Sequence, residues 1–286
     1  YWGPTMKKLL QGLLAVIALA TSVTTYAASK GNVLVLLSSE TALPLQEGKS
    51  YASGFYLNEF GVPADALLKA GYSLTIVTPK GNKPLPDEHS IDPMYFANNP
   101  QEMQRIKSVV DTLTAEGNVK SLKQVLAQGT ESYAGIFIPG GHAPLIDLPG
   151  NADVGALLRQ FHRSGKPTAA ICHGPIALLA AQEQPQTFEQ GLIAGAPAAA
   201  KNWIYAGYKM TIFSDAEEQA FETSLKGAKL RYYPAQAMAQ AGGKMAFANA
   251  WQANVVTDRE LITGQNPFSD HALAKTLIAA LDSKKR

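Results

Sequence analysis

Short unbroken apolar runs, rather than alternating ones, recur along this chain. "NVLVLLSS" (32–39), "SLTIVTP" (73–79), "YAGIFIPGG" (133–141) and "KPTAAICHG" (166–174) are rich in aliphatic residues and close on serine, proline or glycine. That is the pattern of strands buried on both faces. Stretches of helical period lie between them. "SGFYLNEFGVPADALLKAGY" ends with Ala64, Leu67 and Leu68 on one face and stops at Gly71, while "NADVGALLRQFHRSG" stops at Gly165. A helix is expected from about Pro175 in "PIALLAAQ", and the chain closes with "NVVTDRELITG" and the amphipathic "SDHALAKTLIAALDS". Strand–helix–strand alternation with buried strands predicts an α/β domain, a doubly wound parallel sheet with helices on both faces.

Two segments break that rhythm. After the second strand, residues 80–130 contain the polar, proline-rich "GNKPLPDEHSIDPMYFANNP" and the helical "QEMQRIKSVVDTLTA". A loop of that length in a compact domain usually covers a functional site, so a lid is expected there. A second insertion, "QEQPQTFEQGLIAGAPAAAKNWIYAGY", follows the helix after Cys172.

The N-terminus follows different rules. From Met6, Lys7 and Lys8 precede "LLQGLLAVIALA" and the small-residue "TTYAAS". This is the layout of a secretory signal peptide, with an apolar stretch short for a membrane span. Residues 1–27 are read as a tag remnant plus signal peptide and 28–286 as one domain, cleaved near Ala27 or Ala28 and exported to the periplasm or beyond. Two of the 25 Lys and Arg residues fall in the removed part and none of the 23 acids, so the mature charge is near zero. No basic stripe remains to bind nucleic acid.

The single cysteine, Cys172, cannot form an intramolecular disulfide. It stands where a strand gives way to a helix, with Gly174 and Pro175 opening the turn. A nucleophile on such an elbow projects from the sheet, and nearby N–H groups can stabilise its anion. His173 beside it is a base in reach. "IPGGH" (138–142) ends the preceding strand, so its glycines fall at the same carboxyl edge of the sheet and can offer N–H donors to an oxyanion. The elbow and His173 are expected to hold the thiol below the ordinary value of about 8.5. A carboxyl beside the sulfur in a dry pocket is pushed towards its protonated form. His89, Glu88, Asp87 and His142 could meet only if the long loop folds back, and no ligand spacing demands a metal.

"PGGH", "ICHGP" and the glutamate of "YLNEF" together resemble the DJ-1/PfpI superfamily, related to class I glutamine amidotransferases. "FYLNEFGVPADALLKAGY", "GYKMTIFSDAEE" and "DRELITGQNPFS" make the chain similar to its Hsp31-like branch, over roughly residues 32–282. The resemblance implies a flavodoxin-like, class I glutamine amidotransferase-like fold. It makes Cys172 the nucleophile, His173 its histidine and Glu59 the carboxyl held against the thiol. The triad acid falls on Glu218, with Glu217 and Asp215 as alternatives one slip away. Gly141 and the N–H of His173 would form the oxyanion hole beside Gly140, and His142 would line the pocket. The implied activity is a cofactor-free glyoxalase that converts methylglyoxal to lactate. A cysteine hydrolase or peptidase, and a stress holdase for unfolded clients, are the alternatives, and a homodimer is expected. The His-x-Glu element of glutaminases is missing after His173, where His271 is the next histidine.

Overall fold

The four apolar runs form the middle of a seven-stranded sheet. In chain order its strands are β1 (Asn32–Leu36), β2 (Ser73–Thr78), β3 (Val119–Ser121), β4 (Tyr133–Ile138), β5 (Thr168–Ile171), β6 (Val255–Asp258) and β7 (Leu261–Gly264). The computed structural model describes residues 28–196 and 199–284, so the proposed signal peptide lies outside the described residues. The spatial order is β6-β7-β5-β4-β1-β2-β3, and every neighbouring pair is parallel except β6 with β7. The doubly wound parallel sheet expected from the sequence is thus present, with that last pair as its antiparallel edge. Arg259 and Glu260 join the two strands, with Arg259 at φ +54°, and a two-residue connection of this kind forces an antiparallel hairpin.

Alternate residues of β1 separate the two layers. Leu34 and Leu36 pack with Leu157 and Phe161 of α3 (Ala152–Arg163) on one side. Val33 and Val35 face the other side, against Leu57, Phe60 and Leu67 of α1 (Leu57–Lys69) and Leu277 of α5 (Asp270–Ser283). Residues on both faces are essentially without solvent contact, which is why the strands read as continuous apolar runs. The chain leaves β1 in one direction for β2 and returns on its other side with β4. Ligands gather at the strand carboxyl ends beside such a reversal.

The insertion after β2 is ordered by its own caps. Asp87 and Asp92 accept N–H bonds at the starts of two 3-10 turns, Glu88–Ser90 and Pro93–Phe96. Asn99 caps α2 (Pro100–Leu113), which packs on α1 through Met103, Ile106 and Val110. Phe96 anchors the loop in the core, and Tyr95 reaches the pocket described below. After Cys172, the helix expected from about Pro175 is a 3-10 helix over Gly174–Ala180.

Candidate active site

Cys172 is the first residue after β5 and has φ +60°, a left-handed conformation that costs a non-glycine residue about 1–2 kcal/mol. Two backbone bonds hold it there: its N–H donates to Gly264 O (2.9 Å) and its carbonyl accepts from Phe213 N–H (3.0 Å). Backbone strain fixed from both sides is found where geometry serves chemistry. The loop after β4 supplies the space. A Cβ on Gly140 would meet Ile171 O at 2.5 Å and Cys172 Cβ at 2.8 Å and overlap the Glu59 carboxyl, and Gly141 combines φ +93° with an approach to Gly54 O that a Cβ would block. Glycine is required at both positions.

The sulfur lies 3.5 Å from His173 Nδ1. On its far side, His173 Nε2 bonds Glu218 Oε2 at 2.7 Å, and His142 Nε2 bonds Glu218 Oε1 at 2.7 Å. All three side chains are buried. Burial alone would keep Glu218 protonated, but the two imidazoles outweigh it and hold the carboxyl down at about 2. An ionised Glu218 accepts from both Nε2–H groups. His173 therefore presents its Nδ1 lone pair to the sulfur. Burial, then the neighbouring His142, pushes the His173 pKa down, so the ring is neutral at rest. The imidazole centroids are 3.9 Å apart, and Phe221 stacks on His142 at 3.9 Å.

One helix turn decides among the three candidate acids. Glu218 sits on α4 (Asp215–Thr223) facing the imidazoles. Glu217 turns away to bond Ser214, Gln265, Asn266 and the N–H of Trp251, and Asp215 accepts from Gln236.

Glu59, in the first turn of α1, is fully buried, and neither carboxyl oxygen has a partner in hydrogen-bond geometry. Burial raises its pKa well above 4.5, with the Cys172 thiol and the Gly141 N–H pulling the other way. Burial also pushes the Cys172 thiol up, reinforced by Glu59 and Glu217. This corrects the expectation of a thiolate at rest. A neutral histidine supplies no cation, and the dry pocket penalises the anion more than the turn favours it. Glu59 and Cys172 both rest protonated.

The site opens into a cavity of about 170 Å³ lined by Tyr56, Tyr95, Gly141, His142, Cys172, His173, Phe213, Ala220, Phe221, Trp251 and Pro267. Among the described residues, His142, His173 and Glu218 have donor atoms within 4.8 Å of one another, close enough for a metal ion. Their mutual hydrogen bonds already satisfy those atoms. Asp87 and His89 instead bond each other (2.8 Å), and His89 Nδ1 also lies 2.9 Å from the Tyr51 hydroxyl. Sequence reasoning missed the aromatic lining, since Tyr95, Trp251 and the neighbouring pair Phe213 and Phe221 come from three stretches with no shared motif. It also gave His142 only a lining position, whereas it shares Glu218 with His173.

The model of the DJ-1/PfpI family matches residues 50–280. The chain is similar to protein/nucleic acid deglycase HchA of Escherichia coli O157:H7, with 27% identity over 250 residues spanning 86% of this chain and 79% of that one. It is similar to protein/nucleic acid deglycase 1 of Escherichia coli K12, at 27% over 249 residues, with the same shares of the two chains. Among solved structures, glyoxalase III of Candida albicans superposes with a TM-score of 0.64 at 23% identity, covering 88% of this chain and 98% of that one. Rapid Encystment Protein 24 KDa of Francisella tularensis gives 0.66 at 22%, covering 88% and 99%. At those identities the two structures speak for the fold. Family match, sheet order and motifs agree: the chain belongs to the DJ-1/PfpI family, in its Hsp31-like branch.

Proposed function

We propose that this protein is an enzyme that disposes of small reactive carbonyls, converting methylglyoxal to lactate without glutathione. The observation that carries the reading is Cys172 on its strained elbow, buried between the His173 base and the Glu59 acid. The curated relatives are named as deglycases, and a solved structure of the same fold is named a glyoxalase III, so reactive-carbonyl chemistry is shared ground.

The proton inventory suits an internal redox reaction. Cys172 Sγ bonds the aldehyde carbon as its proton passes to His173 Nδ1, where Glu218 balances the new cation. Glu59 gives its proton to the carbonyl oxygen, completing a neutral hemithioacetal. The Glu59 carboxylate then takes the C1 hydrogen as a proton, while His173 protonates the ketone oxygen to form an enediol. Glu59 returns its proton to C2 and His173 takes the one on O1, leaving a lactoyl thioester. Water adds to the thioester carbon and the C–S bond breaks. Glu59 receives the water proton and His173 reprotonates the sulfur. The aldehyde carbon is oxidised and the ketone carbon reduced, so no outside oxidant is needed. Cys172 N–H is committed to Gly264, which leaves the N–H groups of Gly141 and His173 as the proposed donors to transient oxyanions. General acid–base steps of this kind contribute about 10²–10⁴-fold each.

The test is lactate formation from methylglyoxal by the purified chain in glutathione-free buffer, followed by NMR. Steady production of one lactate per methylglyoxal consumed supports the reading; no conversion above buffer overturns it.

A further inference from the structure

The cavity over Cys172 is larger than a three-carbon aldehyde needs. A cavity of roughly 150 Å³ accepts a benzene ring, and this one measures about 170 Å³. Five aromatic side chains wall it, Tyr56, Tyr95, Phe213, Phe221 and Trp251, and no lysine or arginine is among its described lining residues. The charge nearest its reactive end is the Glu218 carboxylate behind the two histidines.

Trp251 is a deliberately held part of that wall. It has φ +68°, a conformation rare for a bulky residue. Its N–H donates to Glu217 Oε2 at 2.8 Å, and the same oxygen accepts from Asn266 Nδ2 at 2.9 Å. Asn266 Nδ2 also donates to the Gln252 carbonyl at 2.6 Å, and Gln265 Nε2 ties the other Glu217 oxygen at 3.0 Å. A buried carboxylate next to Glu218 on α4 thus fixes the loop that carries the indole. The ring meets Phe213 edge-on at 5.7 Å, and Trp251 as a residue stays 44% exposed at the cavity it lines.

The geometry points to Trp251 as a specificity-determining residue that selects neutral 2-oxoaldehydes bearing an aromatic or bulky apolar substituent. This deepens the reading proposed above and rests on it. The dicarbonyl end faces Cys172 while the substituent stacks among Trp251, Phe213 and Tyr95. Such contacts add affinity beyond the area they bury. The site also sorts by charge. A neutral dicarbonyl enters freely, whereas an aldehyde already carrying a carboxylate meets Glu218 with no cation to offset it. The same repulsion expels the hydroxycarboxylate product. For phenylglyoxal the balance is that of methylglyoxal: water is added, the aldehyde carbon is oxidised, the ketone carbon is reduced, and mandelate leaves.

The experiment compares kcat/KM for phenylglyoxal, methylglyoxal and 4-carboxyphenylglyoxal, a 2-oxoaldehyde that carries a carboxylate, in the wild type, Trp251→Ala and Trp251→Phe. The wild type is expected to favour phenylglyoxal over methylglyoxal by about 10-fold or more, the discrimination an apolar pocket gives for a large group, with 4-carboxyphenylglyoxal poorer than phenylglyoxal. Trp251→Ala should cut that ratio about 10-fold, mainly through KM, and Trp251→Phe should restore most of it. Methylglyoxal turnover with no aryl preference, or with a ratio unmoved by Trp251→Ala, overturns this inference and leaves the proposed function standing. If no dicarbonyl is turned over, the proposed function fails first. Calorimetry with mandelamide and lactamide, neutral amides of the two products, then judges the pocket itself. Tighter mandelamide binding that Trp251→Ala abolishes supports the aromatic selection; equal binding of both overturns it.

Discussion

Replacing Glu59 with glutamine preserves its volume and removes one proton. Glu59 is fully buried without a partner in hydrogen-bond geometry, and burial keeps its carboxyl protonated well above the value of 4.5 it takes when unfolded. Above that value the folded chain carries one proton more than the unfolded chain. A raised folded pKa contributes stability that is fully present below 4.5 and lost as pH rises towards the folded value. The loss is about 1.4 kcal/mol per pH unit. Glutamine does not titrate, so Glu59→Gln should gain stability on the wild type as pH rises above 5, with the general slope of at most about 1.4 kcal/mol per pH unit as the ceiling. Urea unfolding of both proteins at pH 5 and pH 6 measures this directly. The same variant should still alkylate with iodoacetamide, because glutamine, like the protonated Glu59, places no charge beside the sulfur. Its turnover should fall by about 10²–10⁴ with the loss of the proton carrier. Parallel pH dependence of stability in the two proteins would refute a protonated Glu59. Undiminished turnover would refute its place in the proton path.

Other outcomes follow from the same geometry. Glu218→Gln offers one acceptor oxygen where two imidazoles need one each, so kcat should drop by about 10²–10⁴. Its carboxyl is held at about 2 against 4.5, so the wild type should lose about 3 kcal/mol between those values as pH falls, and unfolding of Glu218→Gln should lack that loss. Gly140→Ala places a Cβ against Ile171 O and Cys172, which should cost about 1–3 kcal/mol in urea unfolding and abolish turnover. The alkylation midpoint of wild-type Cys172 should lie above the ordinary thiol value of about 8.5; a midpoint below it contradicts the neutral His173. N-terminal sequencing of exported material should begin at Ala28 or Ser29, and a start at Met6 would contradict export by cleavage.

The sheet was legible because β1, β2, β4 and β5 are buried on both faces, and burial on both faces leaves an unbroken apolar run in the sequence. Strand ends were less so: the run 133–141 continues past Ile138 because the glycines after it line the site rather than pair. The β6–β7 hairpin escaped because β6 is half-buried and mixed in polarity, and β7, though buried, is only four residues long with two apolar side chains. Cys172 and His173 could be found from the elbow and the solitary thiol. The choice among Asp215, Glu217 and Glu218 could not, since successive helix positions point about 100° apart and only the placed helix shows which one faces the imidazoles. The thiol's protonation was misjudged for a related reason. Proximity of a histidine is visible in sequence, but its charge depends on burial and on His142, which arrives from another strand. The aromatic walls come from four stretches of the chain, with Phe213 and Phe221 sharing one, and became a pocket only on folding.

The central claim is that Cys172 sulfur bonds the carbonyl carbon during turnover. Acid quenching during methylglyoxal turnover, followed by mass spectrometry of the intact chain and its peptides, tests it most directly. One added methylglyoxal mass is expected on the peptide containing Cys172, accumulating in the wild type. The same adduct should be missing, with no lactate formed, in Cys172→Ser. Lactate produced at the wild-type rate by Cys172→Ser, with no adduct in either protein, would contradict it.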